Sequence, residues 1–504
     1  MKNFFKKYHY LLLILIISFA FFSRIIRIHV PERYIFDEVY HVITAKLIAR
    51  DDARAYEWWN KPVEENTAVD WLHPPYAKYT QAFFIRMYGE NSFGWRVSSV
   101  IFGVLVIVMV YKLSYELFEN KNLSLLATLL ASMDGLLLAQ SRIAMNDIHV
   151  TFFILLSFFT YIRYKKKKKL YLLIATGVCV GLAMGTKWSG LFSLFTILFF
   201  EGINYLKNSG EKLKNGIKNN INPLKTFLAT LQPQKIILLT FTLIILPFAI
   251  YLLSYSHMFM QGKSLLCHKQ EAIRGECYFE RIQIGEWKWE GYISHFAELH
   301  RQIWWYQTNL KATHGYQSRP FQWFFNLKPV WFHVDYQGEK IGNIYAQGNT
   351  ALFWIGDIAI FVSLAIYLIK YNSKIIIYFR NKMKHKKLNK KHWLHRLANY
   401  NLPKHFFFLI FAYFAVWLPW QLSPRIMFFY HYTPAVPLLS IILAYWLIRI
   451  NDVKIKKYYL GKIILSLVLI LCGLNFIIFY PNWTGIVLPK KLIEPIYFAI
   501  KSWK

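Results

Sequence analysis

The 504-residue chain is poor in acids and in cysteine. Its 27 Asp and Glu stand against 60 Lys and Arg, a formal charge of +33, and four Cys are too few for a disulfide scaffold. Charged residues of both signs make up only 17% of the chain, while 56% is hydrophobic and 19% aromatic. Soluble domains run at about 45–50% apolar. This composition excludes a water-soluble globular enzyme, a disordered chain and a fibrous repeat. In a soluble protein such a cation excess points to nucleic acid. Here membrane insertion accounts for it, and no nucleic-acid partner is expected.

A cleavage sequence is also missing. Lys2, Lys6 and Lys7 precede an apolar run from Leu11 to Phe22, which is the layout of a signal peptide. Ser23-Arg24-Ile25-Ile26-Arg27 then offers no small-residue site for a peptidase, so the run is expected to stay as a first membrane span. A bilayer core of ~30 Å takes about 20 apolar helical residues. Eleven candidate spans lie near 10–29, 93–112, 122–140, 147–164, 170–186, 188–205, 235–255, 350–370, 404–421, 426–449 and 460–480. Basic runs at Lys165 to Lys169, at Lys207 to Lys225, at Lys370 to Lys404 and at Lys454 to Lys457 all fall on the side of the N-terminus. The positive-inside rule makes that side cytoplasmic. The long loops 30–92 and 256–349, and the C-terminus, are then external. Three regions follow: 1–255 with the first external loop, the large loop 256–349, and the four-span region 350–504. Cys267 and Cys277 share the large loop, as a bridge or as two thiols, whereas Cys179 and Cys472 fall inside spans and are expected in the core.

A transporter or flippase needs ionisable groups near the bilayer midplane. This chain concentrates them at its external interface. Asp37 and Glu38 follow span one in Phe36-Asp37-Glu38-Val39-Tyr40-His41. Val39, Ile43 and Leu47 recur at helical spacing, which predicts an amphipathic helix on the membrane surface with Asp37 as its N-cap. A second such helix is expected after His73-Pro74-Pro75-Tyr76-Ala77-Lys78, with Phe83, Phe84 and Met87 on its apolar side. On local grounds alone Asp37 reads first as a cap. Neighbouring helical residues point roughly 100° apart, so Asp37 and Glu38 do not form a symmetric acid pair. One acts on a substrate while the other braces a partner.

Arg24, Arg27, Arg96, Arg142, Lys187 and Arg425 sit near the same external depth. Each alone is explained as a snorkelling anchor. Together, on the face where the charge rule disfavours cations, they call for an anion, and phosphate suits an arginine fork. Trp304, Trp305, Trp323 and Trp331 suit sugar faces and an interfacial belt equally.

These residues occur in a recognisable order. Arg24, Phe36-Asp37-Glu38-Val39 and His73-Pro74-Pro75 with Lys78 resemble the N-terminal catalytic region of the protein O-mannosyltransferases. Gln140-Ser141-Arg142-Ile143-Ala144-Met145-Asn146-Asp147-Ile148 and Gly185-Thr186-Lys187-Trp188-Ser189-Gly190-Leu191 are similar to that family's third-to-fourth and fifth-to-sixth span motifs. Thr313-His314-Gly315-Tyr316-Gln317-Ser318-Arg319-Pro320 with Trp323, and Phe428-Phe429-Tyr430-His431-Tyr432-Thr433-Pro434-Ala435, resemble its large-loop and C-terminal motifs.

The resemblance implies an all-α polytopic fold of the C-type glycosyltransferases, usually with eleven spans and helices in both external loops. It implies transfer of mannose from a polyprenyl phosphate to Ser or Thr of secreted or membrane proteins. Partners are then the lipid-linked donor, protein acceptors and membrane lipids. The large loop of about 95 residues has no room for the β-trefoil of eukaryotic members, which points to the bacterial branch and the plasma membrane. By the same resemblance Asp37 is the base of a single inverting displacement, since retention asks for a second carboxylate as nucleophile. Glu38 is a supporting acid, braced by Arg24 or orienting the acceptor. Arg96 is the first choice for the lipid phosphate, followed by Arg24, Arg142, Lys187 and Arg425. His73 and Lys78 shape the sugar site, and His314 and Gln317 touch acceptor or donor from the large loop or serve structure alone. Asp147 receives no catalytic role. No cofactor or metal is expected, because no compact Asp/His triplet stands at metal spacing and arginines serve at a phosphate. Rival readings are a C-type transferase moving another sugar to a lipid or glycan, as the aminoarabinose transferases do, and a transporter or flippase.

Overall fold

The computed structural model describes residues 8–58, 62–218, 232–260, 263–268, 278–283, 289–382, 402–454 and 457–503. Helices dominate, and each of the eleven expected segments holds one. Among the described residues, six are long and apolar enough to cross a membrane: Ser92–Phe118, Trp188–Asn215, Pro233–Leu253, Thr350–Lys374, Lys404–Leu422 and Leu460–Thr484. His9–Ile25, Leu170–Met184 and Ala435–Ile450 are shorter apolar helices. The chain is a multi-span membrane protein.

Burial sorts these helices into a centre and a rim. In Ser92–Phe118, 61% of the apolar window is buried, against 22% in Pro233–Leu253 and in Leu460–Thr484. Ser92–Phe118 is therefore the central post, packed against His9–Ile25, Lys121–Ser132 and Asp147–Lys167. The rim helices expose Ile237, Phe241, Phe248, Leu467, Leu474 and Ile477, apolar side chains that lipid rather than water accommodates. Gly177, Gly181 and Gly185 recur every fourth residue along one side of Leu170–Met184 and just past its end. A Cβ at Gly177 would stand 2.0 Å from the Thr242 carbonyl oxygen, and one at Gly181 2.5 Å from Ile250 Cβ. This small-residue row lets the Pro233–Leu253 helix approach backbone to backbone.

The third expected span breaks at Asp134. Its Oδ1 caps the short helix Gly135–Gln140 at Leu137 N, 2.8 Å, and its Oδ2 accepts from Asn349 N at 2.9 Å. Asn349 Nδ2 donates in turn to the carbonyls of Met133 and Cys472. This buried clamp ties the N-terminal region to the Thr350–Lys382 and Leu460–Thr484 helices of the C-terminal region.

Both long loops contain the expected helices, with two differences. Glu38–Ala49 does not lie on the membrane: Val42, Ile43, Ala45, Leu47 and Ile48 are all buried within the protein. Tyr76–Tyr88 does keep an apolar exposed side, at Phe83 and Met87. The large loop also carries strands. Val330–Gln337 pairs antiparallel with Lys340–Ala346, and the latter with Leu488–Pro489 near the C-terminus. Lys263–His268 pairs with Tyr278–Gln283. The alternation of Val330, Phe332 and Val334 with Trp331, His333 and Asp335 is the period-two signal behind the main hairpin. Trp304 and Trp305 are exposed, whereas Trp323 is fully buried and stacks on His431. Cys179 and Cys472 are buried free thiols as expected. Cys277, half of the bridge considered for the large loop, lies outside the described residues.

Candidate active site

The site begins at a strained turn. Phe36 has φ 47°, a left-handed conformation that costs a bulky residue about 1–3 kcal/mol. Its ring is held by aromatic partners from distant segments, with centroids 4.8 Å from Phe332, 6.0 Å from Phe428 and 5.9 Å from Tyr430. The turn sends Asp37 and Glu38 in different directions. Asp37 occupies the N-cap position of Glu38–Ala49, yet its side chain accepts no hydrogen bond from the first turn. The carboxylate lines a cavity of about 500 Å³ instead. The Tyr430 hydroxyl, 3.4 Å from Oδ2, donates to it.

Glu38 points the other way and is fully buried. Its Oε1 accepts from Arg96 Nε at 2.8 Å and Ala144 N at 3.0 Å, and its Oε2 from Arg96 Nη2 at 2.8 Å and Ile35 N at 3.0 Å. The remaining Arg96 donors go to the carbonyls of Ile28, Pro31 and Arg33. All five guanidinium N–H groups are thus occupied. The expectation that Arg96 meets the lipid phosphate is corrected by this geometry, and so is the pairing of Glu38 with Arg24. Arg96 is the brace of Glu38, and neither residue lines the cavity.

Arg24 and Arg142 are likewise internal. Arg24 donates to Ser141 Oγ and the Ala20 carbonyl. Arg142 donates to the carbonyls of Arg24, Ile26 and Arg27, closing the C-terminal end of the first helix where orphan carbonyls need donors. Neither reaches the cavity. Two of the expected cations do line it. Lys187 Nζ lies 2.7 Å from Asp147 Oδ1 and 5.4 Å from the centre of the Tyr430 ring. Arg425 is half-buried and donates to the Gln307 side chain and the Ile426 carbonyl.

Asp70 is the main residue that the sequence reading missed. It is buried in the cavity wall, 2.7 Å from His41 Nδ1, 2.9 Å from His73 Nδ1 and 2.8 Å from Lys78 Nζ. The Asp70-x-x-His73 spacing was the available signal. Burial alone would raise its pKa, but His73, Lys78 and His41 overcome that and hold it well below the usual carboxylate range. Burial lowers His73 to about 4, against the pull of Asp70, so the imidazole is neutral near pH 7. His41, Asp70 and His73 bring potential ligand atoms within 4.8 Å of one another, a triplet invisible in the linear spacing. The buried Lys78 ammonium on the same carboxylate puts positive charge where a cation would sit. Lys78 itself stands behind the wall and does not line the cavity, whereas His73 does.

From the large loop His314 lines the cavity, its ring edge-on to Phe428 at 5.2 Å. Gln317 does not; it lines a neighbouring cavity of about 350 Å³. Three carboxylates remain on the main cavity: Asp37, Asp70 and Asp147. Asp70 and Asp147 are ion-paired, so among the described residues Asp37 is the one lining carboxylate with no cation in contact. Burial raises its pKa; His41 and Lys187 pull it down, while Asp70 and Asp147 push it further up. Such a carboxylate is a stronger base than a free one.

The fold resembles a chain of the S. cerevisiae protein O-mannosyltransferase Pmt1–Pmt2 complex bound to the sugar donor. The TM-score is 0.68 over 95% of this chain and 90% of that one, at 14% identity. An aromatic-walled cavity on this architecture, with one unpaired carboxylate and nearby cations, defines a membrane glycosyltransferase of the C type. The model of dolichyl-phosphate-mannose–protein mannosyltransferases matches residues 14–261, and that of the C-terminal four-span region of protein O-mannosyltransferases matches residues 292–503. The chain belongs to the protein O-mannosyltransferase family. The polyprenol-phosphate-mannose–protein mannosyltransferase of Corynebacterium glutamicum is 24% identical, covering 93% of this chain and 88% of its own length. The Mycobacterium tuberculosis enzyme of the same name is 22% identical, covering 88% of this chain and 83% of its own length.

Proposed function

We propose that this chain transfers mannose from a polyprenyl phosphate to Ser and Thr hydroxyls of secreted or membrane proteins, at the external face of the plasma membrane and without a metal. The observation that carries the reading is Asp37, a carboxylate of raised pKa with no cation in contact, open to a cavity that also holds Lys187 and Arg425. The acceptor hydroxyl gives its proton to Asp37 as its oxygen bonds to C1 of the sugar. The bond from C1 to the phosphate oxygen breaks, and its electron pair stays on the phosphate. Arg425 and Lys187 face that developing charge. Tyr430 orients Asp37, and two rings on the cavity, His314 and His73 with its neutral imidazole, offer hydrogen-bonding edges to sugar or acceptor. The pairing of Asp147 with Lys187 and of Asp70 with Lys78 and two histidines leaves, among the described residues, no second free carboxylate on the cavity to act as nucleophile, which supports inversion in one displacement.

The test supplies membranes carrying the chain with radiolabelled polyprenyl-phosphate mannose and a Thr-containing peptide. Label in the peptide, lost in Asp37→Asn, is the expected result. Label in lipid or glycan transfers the chain to the rival transferase reading, and absence of any transfer removes the enzyme reading altogether. Impermeant labelling of a cysteine placed in the first loop tests the orientation separately.

A further inference from the structure

The cavity that Gln317 lines has a composition unlike that of its neighbour. It shares a wall with the Asp37 cavity at Leu310, Arg425 and Ile426. Among the described residues Lys311, Arg319 and Arg425 line it, and no Asp or Glu does. Among the described residues none of these three cations has an ion-pair partner: Arg319 donates to the Ser423 carbonyl, and Arg425 to Gln307 and Ile426. Unpaired positive charge around a half-open space of about 350 Å³ is an anion site in waiting. Leu310, Ile426 and Met427 add apolar side chains to its wall. Close in sequence to the lining residues Gln322 and Pro424, Phe321 is 59% exposed and Leu422, at the end of the Lys404–Leu422 span, 87% exposed, as expected at a membrane boundary.

We propose that this basin binds the leaving group of the reaction, a polyprenyl phosphate monoester, after transfer. The inference rests on the donor class proposed above. The donor is a phosphodiester with one negative charge. When the bond from C1 to oxygen breaks, the electron pair stays on the phosphate, the hydroxyl proton goes to Asp37, and the product becomes a monoester carrying about −1.5 to −2 charges at pH 7. Once Asp37 gives that proton up to water, its carboxylate and that of Asp147 stand beside the added charge and repel it. The adjoining basin offers three cations and no acid. Arg425 belongs to both walls, so the phosphate passes between them without leaving the reach of a cation. Leu310, Ile426 and Met427 give the attached prenyl chain an apolar margin as it moves. A carboxylate on the acceptor polypeptide is the competing occupant. The membrane-boundary setting and the gain of charge in the product favour the lipid phosphate.

The experiment measures inhibition of transfer by a short-chain polyprenyl phosphate, with the full chain in nanodiscs, for wild type, the double variant Lys311→Gln/Arg319→Gln and the charge-retaining Arg319→Lys. Both side chains are exposed, so folding is not at risk. Loss of charge-assisted hydrogen bonds predicts that the ratio of product Ki to donor KM rises about tenfold or more in the double variant and much less in Arg319→Lys. An unchanged ratio overturns the proposal. So does selective loss of turnover on Asp-containing acceptor peptides with Ki unchanged, which gives the basin to the acceptor. Inhibition by inorganic phosphate as strong as by the prenyl compound overturns the lipid assignment. If no mannose is transferred at all, the proposed function fails by itself. Direct binding of the polyprenyl phosphate then decides the inference: weaker binding in the double variant supports it, and equal binding overturns it.

Discussion

Glu38 and Asp37 are neighbours in sequence and opposites in circumstance. The region around Glu38 is a closed lock: four hydrogen bonds reach the carboxylate, and its arginine partner has no donor left over. The region around Asp37 is open, with one long hydrogen bond from Tyr430 and a cavity in front. The same contrast divides the cations. Arg24, Arg96 and Arg142 serve the backbone behind the site, while Lys187 and Arg425 face the cavity. Chemistry needs groups with unfilled valences for partners, and stability needs the reverse. A patch of like residues at one membrane depth therefore contains both kinds, and only the hydrogen-bond census separates them.

The sharpest way to break this contrast is at Asp37. Asp37→Asn keeps the shape and removes the base, and should lower kcat by about 10²–10⁴-fold while the thermal unfolding midpoint in detergent stays near that of the wild type. Arg96→Ala should do the opposite. It strands the buried Glu38 carboxylate and should cost about 3–5 kcal/mol of stability, read as an earlier unfolding transition, while donor KM of the protein that remains folded stays close to that of the wild type. A rise in donor KM without loss of stability would return Arg96 to the phosphate.

A finer test lies in the pH profile. Transfer needs Asp37 ionised, so activity falls as pH drops through its raised pKa, at higher pH than the usual carboxylate value of 3.8 would give. Lys187 pulls that pKa down. Lys187→Met removes the pull and also uncovers Asp147, so both changes push the pKa up. The acid limb of the kcat profile should move to higher pH in this variant, beyond any effect on donor KM. The smallest effect is expected from chelation. Turnover in EDTA should equal turnover without it, because Lys78 fills the place a cation would take beside His41, Asp70 and His73. Inactivation by EDTA, reversed by a divalent ion, would overturn that.

Much of the architecture was legible from the sequence, because length and hydropathy set a membrane helix almost unaided. Each of the eleven segments holds a helix, and both loop helices start where proline and the Asp-Glu pair predicted. The Glu38–Ala49 helix was misplaced onto the membrane surface because its apolar positions face protein, and periodicity does not say which apolar neighbour will cover them. The hairpin at Val330–Gln337 was legible in its alternation and went unread. For the site, the motif order pointed to the right neighbourhood but not to the division of labour within it. Arg96 and Arg425 look alike in sequence. What distinguishes them is the set of carbonyls at Ile28, Pro31 and Arg33 that the turn after span one delivers to Arg96. The Asp70 hub was hidden for a related reason: its three partners come from a helix, a turn and a second helix that only the folded loop brings together.

The turn at Phe36 has one more consequence. Its left-handed backbone is propped by rings that the ribosome delivers only after most of the chain is made, at Phe332, Phe428 and Tyr430. A nascent N-terminal portion already contains the Asp37 motif but has nothing to hold it in firing position. The N-terminal half expressed alone should therefore be inactive, and co-expressed halves should gain activity only when they dock.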